Sequence, residues 1–421
     1  MRLVYKFKYN GKETQRLLEL CKISKNLYNQ ALYVIKKELK ENNKFLFYND
    51  LNKLMKEMVN LEGKINYRLL KAQVSQQCLK IIDKGVKSYI KSIKDWSKHK
   101  EKYRGMPKLP NYKKDYNLLV FTNQCCSIKN GNIRFTNDLS IRIPQYDKYK
   151  DCFFKFQQVR VLPQKDDTLI IEIVYEKECR NEELDNTKFA SIDLGVDNIA
   201  TAIFDKNETL IYNGKPIKSV NQFANKLIAK YKSELEKINK KKLSKRIRKI
   251  YSKRNVRMED YFHKLSRRIV NKTIKYKIGT IVVGYNKGWK DSINIGKRNN
   301  QTFVQIPFDS LLRKLEYKCK QCGINLIIQE ESYTSKCDAL AMESIEKHKE
   351  YMGKRVKRGL YQSSTRKLIN ADLNGALNIL RKVVGDSEFV RIIGSGHSLC
   401  PVRHCNPFNR SVRCTDKVLK K

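Results

Sequence analysis

What the chain lacks narrows the reading first. No hydrophobic run approaches the length of a membrane span, which argues against a membrane helix and a membrane partner. Met1 leads straight into RLVYKFKYN with no signal-peptide pattern, so a cytoplasmic location is the expectation. Acidic residues are scarce: 43 Asp and Glu stand against 88 Lys and Arg, a formal net charge of +45. A surface this positive repels itself unless a polyanion neutralises it. The basic residues run along the whole chain rather than gathering in one tail, so nucleic acid is the expected partner. A zinc-ribbon pattern is also missing. Cys319 and Cys322 form a CxxC in the helix-like segment SLLRKLEYKCKQC, but no second close pair follows. His397, Cys400, His404, Cys405 and Cys414 offer metal-ligand types in spacings that fit no standard finger, and a structural zinc is not expected.

What is present divides into three textures. The chain has 421 residues, 41% of them hydrophobic and 10% aromatic, enough for two or three domains with cores. Residues 1–116 read as mainly helical, with apolar residues at helical spacing in KETQRLLELCKISKNLYNQALYVIKKELK and SQQCLKIIDKGVKSYIKSIKDWSKHK. RGMPKLPNYKKDYN interrupts them as a loop. Residues 117–185 turn strand-rich, with SIKNGNIRF carrying an Asn-Gly turn, and suggest a small β-barrel to which the N-terminal region lends a first strand. Residues 186–385 begin with three strands joined by tight turns. A basic helical stretch at 219–277 follows, then strand, helix, strand and helix, ending in NADLNGALNILRKVV with Leu373, Leu377, Leu380 and Val384 on one face. That order is the order of an α/β RNase H-like fold. Residues 386–421 form a tail.

Two acids stand out by place. Asp193 ends the apolar strand FASID, and Asp372 opens the last helix, where the helix dipole favours an anion. Phosphodiester chemistry gathers negative charge on oxygen. Two Mg²⁺ ions held by carboxylates can activate a water and stabilise the leaving oxygen. Clustered acids repel unless a cation sits among them, so a third carboxylate from a central strand is expected.

SIDLGVDNIAT, then ESYTSKCD, then NADLNGALNILRKV resemble the RuvC nuclease domain of the TnpB family. CKISKNLYNQAL, GMPKLPNYKK and GKPIKSVNQFANK resemble TnpB segments as well. These are transposon-encoded, RNA-guided DNA endonucleases related to the type V CRISPR effectors. The resemblance implies a RuvC-like, Mg²⁺-dependent DNA endonuclease that takes a guide RNA from the transposon end and a double-stranded DNA target. The family usually places a catalytic Glu where TIVVGYN has Gly284 and Tyr285. Some relatives, and the Fanzor proteins, carry that acid on the next strand, just before a Thr-Ser pair. Glu331 fits that position ahead of Thr334 and Ser335, with its neighbour Glu330 as the alternative; strand alternation would let only one reach the metals. The resemblance thus implies that Asp193, Glu331 and Asp372 hold the metal ions.

The family's zinc ribbon corresponds to 337–368, which has no CxxC and reads as a metal-free insertion touching DNA through Lys354, Arg355, Lys357 and Arg358. Within 219–277, Lys240, Lys241, Lys242, Lys245, Arg246, Arg248 and Lys249 would bind an RNA–DNA heteroduplex by its phosphates. Two other readings stay open: a nuclease-inactive, RNA-guided DNA-binding repressor, and a RuvC-like nuclease that needs no guide.

Overall fold

The computed structural model describes residues 1–179, 182–204, 208–239, 243–286, 304–393, 399 and 402–404. They form two compact units, Met1–Glu178 and Cys179–Lys421. Among the described residues no helix is long and apolar enough to cross a membrane.

The first unit opens with strand β1 (Arg2–Tyr9) and helices α1 (Thr14–Asn42), α2 (Tyr48–Met55) and α3 (Ala72–Lys98). Strands β2 (Leu119–Thr122), β3 (Ser127–Lys129), β4 (Asn132–Arg134) and β5 (Ser140–Arg142) follow. Helix α4 (Tyr146–Phe153) then leads to β6 (Phe156–Pro163) and β7 (Leu169–Glu176). The Asn-Gly signal is a hairpin turn: Asn130 and Gly131 adopt φ of 49° and 75°, the left-handed pair that matches strand twist. The strands make an open four-stranded sheet, β1-β7-β6-β2, and a separate three-stranded one, β3-β4-β5. A closed barrel is not what these residues build. The helices bury Leu17, Leu27, Leu32 and Leu79 in the same core as Val159, Ile171 and Ile173 of the sheet, so the two sequence textures share one interior.

In the second unit β8 (Asp185–Asp193), β9 (Asn198–Phe204) and β10 (Glu208–Asn213) come first. Helices α5 (Lys215–Asn239) and α6 (Lys245–Lys275), strand β11 (Ile278–Gly284), helix α7 (Phe308–Gln321) and strand β12 (Asn325–Gln329) follow. Short strands β13 (Lys354–Lys357), β14 (Leu360–Gln362) and β15 (Leu368–Asn370) precede α8 (Ala371–Val384), α9 (Asp386–Ile393) and β16 (Val402–His404). The main sheet runs β12-β11-β8-β9-β10-β16. Strands β8, β9 and β10 pair antiparallel, whereas β11 joins β8, and β12 joins β11, in parallel. Strands β9 and β11 are buried along their full length, as a sheet covered on both faces requires. The parallel strands bring the C-terminal ends of β8, β11 and β12 to one edge, where α8 packs. The side chain of Ser191 ties β8 to that helix by donating to the carbonyl of Ala376 at 2.8 Å.

Candidate active site

Asp193 is the last residue of β8, and Asp372 lies in the first turn of α8. Asn370 caps that helix: its Oδ1 accepts from the amides of Asp372 (2.9 Å) and Leu373 (3.3 Å). Glycine lets the helix approach the strand. A Cβ on Gly375 would lie 3.1 Å from Asp193 Oδ2, so the helical Gly, a weak helix former, clears space for the carboxylate. Burial pushes the Asp193 carboxyl well above its ordinary range, and the charges of Asp372 and Glu331 raise it further; Arg355 opposes them. Three carboxylates from three separate elements therefore lie within electrostatic reach of one another.

The adjacent glutamates part company. Strand β12 ends at Gln329, so both lie in the following turn rather than on the strand. Glu330 faces outward, accepts from Ser332 and pairs with Lys382 at 3.0 Å, contacts that hold its carboxyl below the usual range. Glu331 turns inward: burial, then the charge of Glu330, pushes it up to about 7 against the pull of Lys382. Its carboxylate sits over the end of β11. A Cβ on Gly284 would lie 3.0 Å from Glu331 Oε2 and would also collide with the tip of Ile379. Ile379 and the Glu331 carboxylate share the space above Gly284.

Comparison with known proteins follows this geometry. The family model OrfB_IS605, a probable transposase, matches residues 172–290, and the Cas12f1-like TNB domain matches residues 308–379. The TnpB-like protein ORF457 of Acidianus two-tailed virus is 26% identical over 213 residues, 47% of this chain and 42% of its own length. The TnpB-like protein MJ0751 of Methanocaldococcus jannaschii is 26% identical over 196 residues, 45% of this chain and 67% of its own. The chain is thus similar to TnpB-like proteins and to transposase and Cas12f1-like family models. The match to the viral relative spans less than half of that protein. Two solved structures share the fold. A Cas12f1–sgRNA–target DNA complex has TM-score 0.51 at 16% identity, covering 88% of this chain and 83% of that one. The mini-RNA-guided endonuclease CRISPR-Cas phi3 has TM-score 0.53 at 11% identity, covering 92% and 93%.

Around the acids stand polar groups that sequence reasoning missed. Asn198 Nδ2 donates to Asp372 Oδ2 at 2.6 Å, and Asn286 Oδ1 accepts from the Glu331 amide at 3.0 Å. Arg355, expected on the sequence to touch DNA, stands 4.0 Å from Asp372 with half of its side chain exposed. Arg358, on the same hairpin, is mostly exposed and pairs with Asp197, which also accepts from Lys218. Lys354 and Lys357 are exposed on β13. The hairpin thus presents a basic face beside the acids.

Other candidates fall elsewhere. Lys245, Arg246, Arg248 and Lys249 lie in the first turns of α6, Arg246 over the ring of Tyr231, while Lys240, Lys241 and Lys242 lie outside the described residues. Cys319 and Cys322 are buried in the apolar core beneath α7. Of the tail residues, His397, Cys400, Cys405 and Cys414 lie outside the described residues; His404 ends β16. The insertion 337–368 is knotted by acids. Buried Asp338 accepts from the side chain of Ser363 (2.8 Å) and the amide of Ser364 (2.7 Å), and Glu343 accepts from the amides of Asp338 (2.6 Å) and Met352 (2.9 Å).

Among the described residues no three His, Cys, Asp or Glu side chains converge tightly enough to hold a single ion as they stand. The donor chemistry nevertheless fits Mg²⁺: three hard carboxylates, one of them raised by burial and then by its neighbours' charge, which a cation would relieve.

Proposed function

We propose that this chain is a metal-dependent, RNA-guided DNA endonuclease of a transposable element, acting in the cytoplasm on DNA. The observation that carries the reading is that Asp193 lies within electrostatic reach of both Asp372 and Glu331, the last beside Gly284. We read the second unit as an RNase H-like, RuvC-type domain, since three antiparallel strands followed by two parallel ones give the sheet order 5-4-1-2-3 for β8 to β12.

In this reading Asp193, Glu331 and Asp372 would hold Mg²⁺. Bound there, Mg²⁺ supplies Lewis-acid stabilisation and an activated water for phosphodiester hydrolysis. The residues of the chain do the rest. Asn198 fixes the rotamer of Asp372 through its 2.6 Å bond. Arg355 exchanges its contact with Asp372 for a phosphate oxygen, because a guanidinium binds phosphate in a planar, bidentate way. The exposed cations of β13 and the start of α6 hold the nucleic-acid backbone without reading sequence, and a guide RNA supplies the specificity. The first unit, with its helices and open sheet, takes the guide and the target. Zinc has no part in this reading.

The test is plasmid cleavage by protein co-expressed with its flanking transposon-end RNA, in Mg²⁺ and in EDTA. The expected result is RNA-dependent cutting that EDTA and Asp193→Ala both abolish. Target binding without cutting in any divalent metal would make the protein a guided binder. Cutting without RNA would make it a guide-independent nuclease.

A further inference from the structure

The site rests on a glutamate that no strand holds. With β12 ended at Gln329, Glu331 lies in a turn, where a carboxylate would ordinarily sample several positions. Helix α8 braces that turn along its length. Asn378 Nδ2 donates to the carbonyls of Thr334 (2.9 Å) and Cys337 (2.7 Å), and Asn374 Nδ2 to the carbonyl of Cys337 at 2.8 Å. Asn374 Oδ1 accepts from the amide of Ala339 at 3.1 Å. Lys382 Nζ reaches the carbonyls of Glu330 (3.2 Å) and Ser332 (2.9 Å). Residues 374, 378 and 382 recur every four positions, one stripe of a helix whose Leu373, Leu377 and Leu380 are core. Both asparagines are fully buried, and a buried amide is costly unless its donors and acceptor are used. Here the donors of both are used on a single segment, while Asn378 Oδ1 accepts from Arg381 at 2.9 Å.

The last link reaches Glu331 itself. Thr334 Oγ1 donates to the Glu331 carbonyl at 2.8 Å, and the Thr334 amide to the same oxygen at 3.3 Å. On the other side, Asn286 holds the Glu331 amide. The backbone of Glu331 is thus fixed from both ends, and one end leads through Thr334 and Asn378 to the helix that carries Asp372.

We infer that Thr334 and Asn378 are positioning residues that set Glu331 relative to Asp372, doing in this chain what a strand would do for an acid at its tip. The inference rests on the reading of Glu331 as a metal-holding carboxylate. If Thr334 were only part of the packing, its loss would lower stability and leave ion affinity alone. Outer groups that orient metal ligands typically contribute about 10–100-fold to metal affinity or activity.

The experiment titrates full-length protein with Mn²⁺ alone, counting free ion by electron paramagnetic resonance, beside thermal melts and guided cleavage resolved into kcat and KM. Thr334→Val keeps the shape and removes the hydroxyl; Thr334→Ser restores it. The expected result is that Thr334→Val weakens Mn²⁺ binding about tenfold and lowers kcat, with KM for DNA and Tm little changed, while Thr334→Ser behaves as wild type. Asn378→Ala should do the same and also lower Tm; should it fail to fold, the Thr334 pair decides. Glu331→Ala separates the two levels. If it leaves Mn²⁺ binding and cleavage intact, the site reading falls and the positioning role with it. If it abolishes both while Thr334→Val binds and turns over normally, the positioning role alone is overturned.

Discussion

The second unit gathers two groups of like charge and partners them differently. On α7, Lys314 and Lys318 are buried against α6, and each has its partners. Lys314 pairs with Glu259 at 2.6 Å and donates to Ser310 Oγ at 2.8 Å. Lys318 donates to the carbonyl of His263 (2.7 Å) and to Ser266 Oγ (2.6 Å). At the ends of β8 and β12 the grouped charges are Asp193, Asp372 and Glu331, and Asp193 is raised chiefly by burial and by the other two. The lysines are a finished piece of structure. The acids gain from a cation that the chain itself supplies only in part, through Arg355. After burial, like charges disfavour both groups, Arg267 and Lys314 lowering Lys318 as Asp372 and Glu331 raise Asp193; the hydrogen bonds that take up the lysine ammonium groups are what separate the two.

The comparison can be broken at several points. The largest effect belongs to the acids: Asp193→Ala should cut guided cleavage at least about a thousandfold, the loss of roughly 4 kcal/mol of metal-borne stabilisation, read by single-turnover kinetics. Next is Gly284→Ala, whose new methyl would press on Ile379 and the Glu331 carboxylate; cleavage should fall about tenfold as the acid is displaced, with the same variant scored by thermal melt for overpacking. Without metal, Asp193→Asn should raise Tm by several degrees at neutral pH, because it removes a like charge from a buried cluster.

The lysines predict a different signature. Burial lowers Lys318 to about 7 from an ordinary 10.5. Between those values the unfolded chain binds more protons than the folded one, so stability should rise as pH climbs from about 7 towards 10. Lys318→Met should flatten that rise in a series of denaturant melts. The smallest effect is at Glu330: its ion pair with Lys382 is half exposed, and Glu330→Ala should change stability by less than about 1 kcal/mol.

Asp193 and Asp372 were legible because strand ends and helix starts announce themselves, through an apolar run broken by LGVDN and through NADLNG before an apolar face. The third acid was not legible from pattern. Glu330 and Glu331 are alike in sequence, and the alternation argument supposed a strand running through both, whereas it stops at Gln329. Only the turn after Gln329, bent by partners 45 to 52 residues away, tells them apart. Gly284 read as a loss, and the structure places Ile379 and the Glu331 carboxylate where its side chain would stand. The strand-rich region suggested a barrel because short strands do not say how their sheet closes; pairing β1 with β7 depends on contacts across most of the first unit. One signal was present and unused. Asn374 and Asn378 stand four apart inside an apolar helix, a place where an amide needs a fixed partner.

The most direct measurement is guided plasmid cleavage in Mg²⁺ by Glu331→Ala and Glu330→Ala side by side. The account predicts that the first variant is inactive and the second cuts like the wild type. Cutting that survives Glu331→Ala, or is lost only with Glu330→Ala, would contradict it.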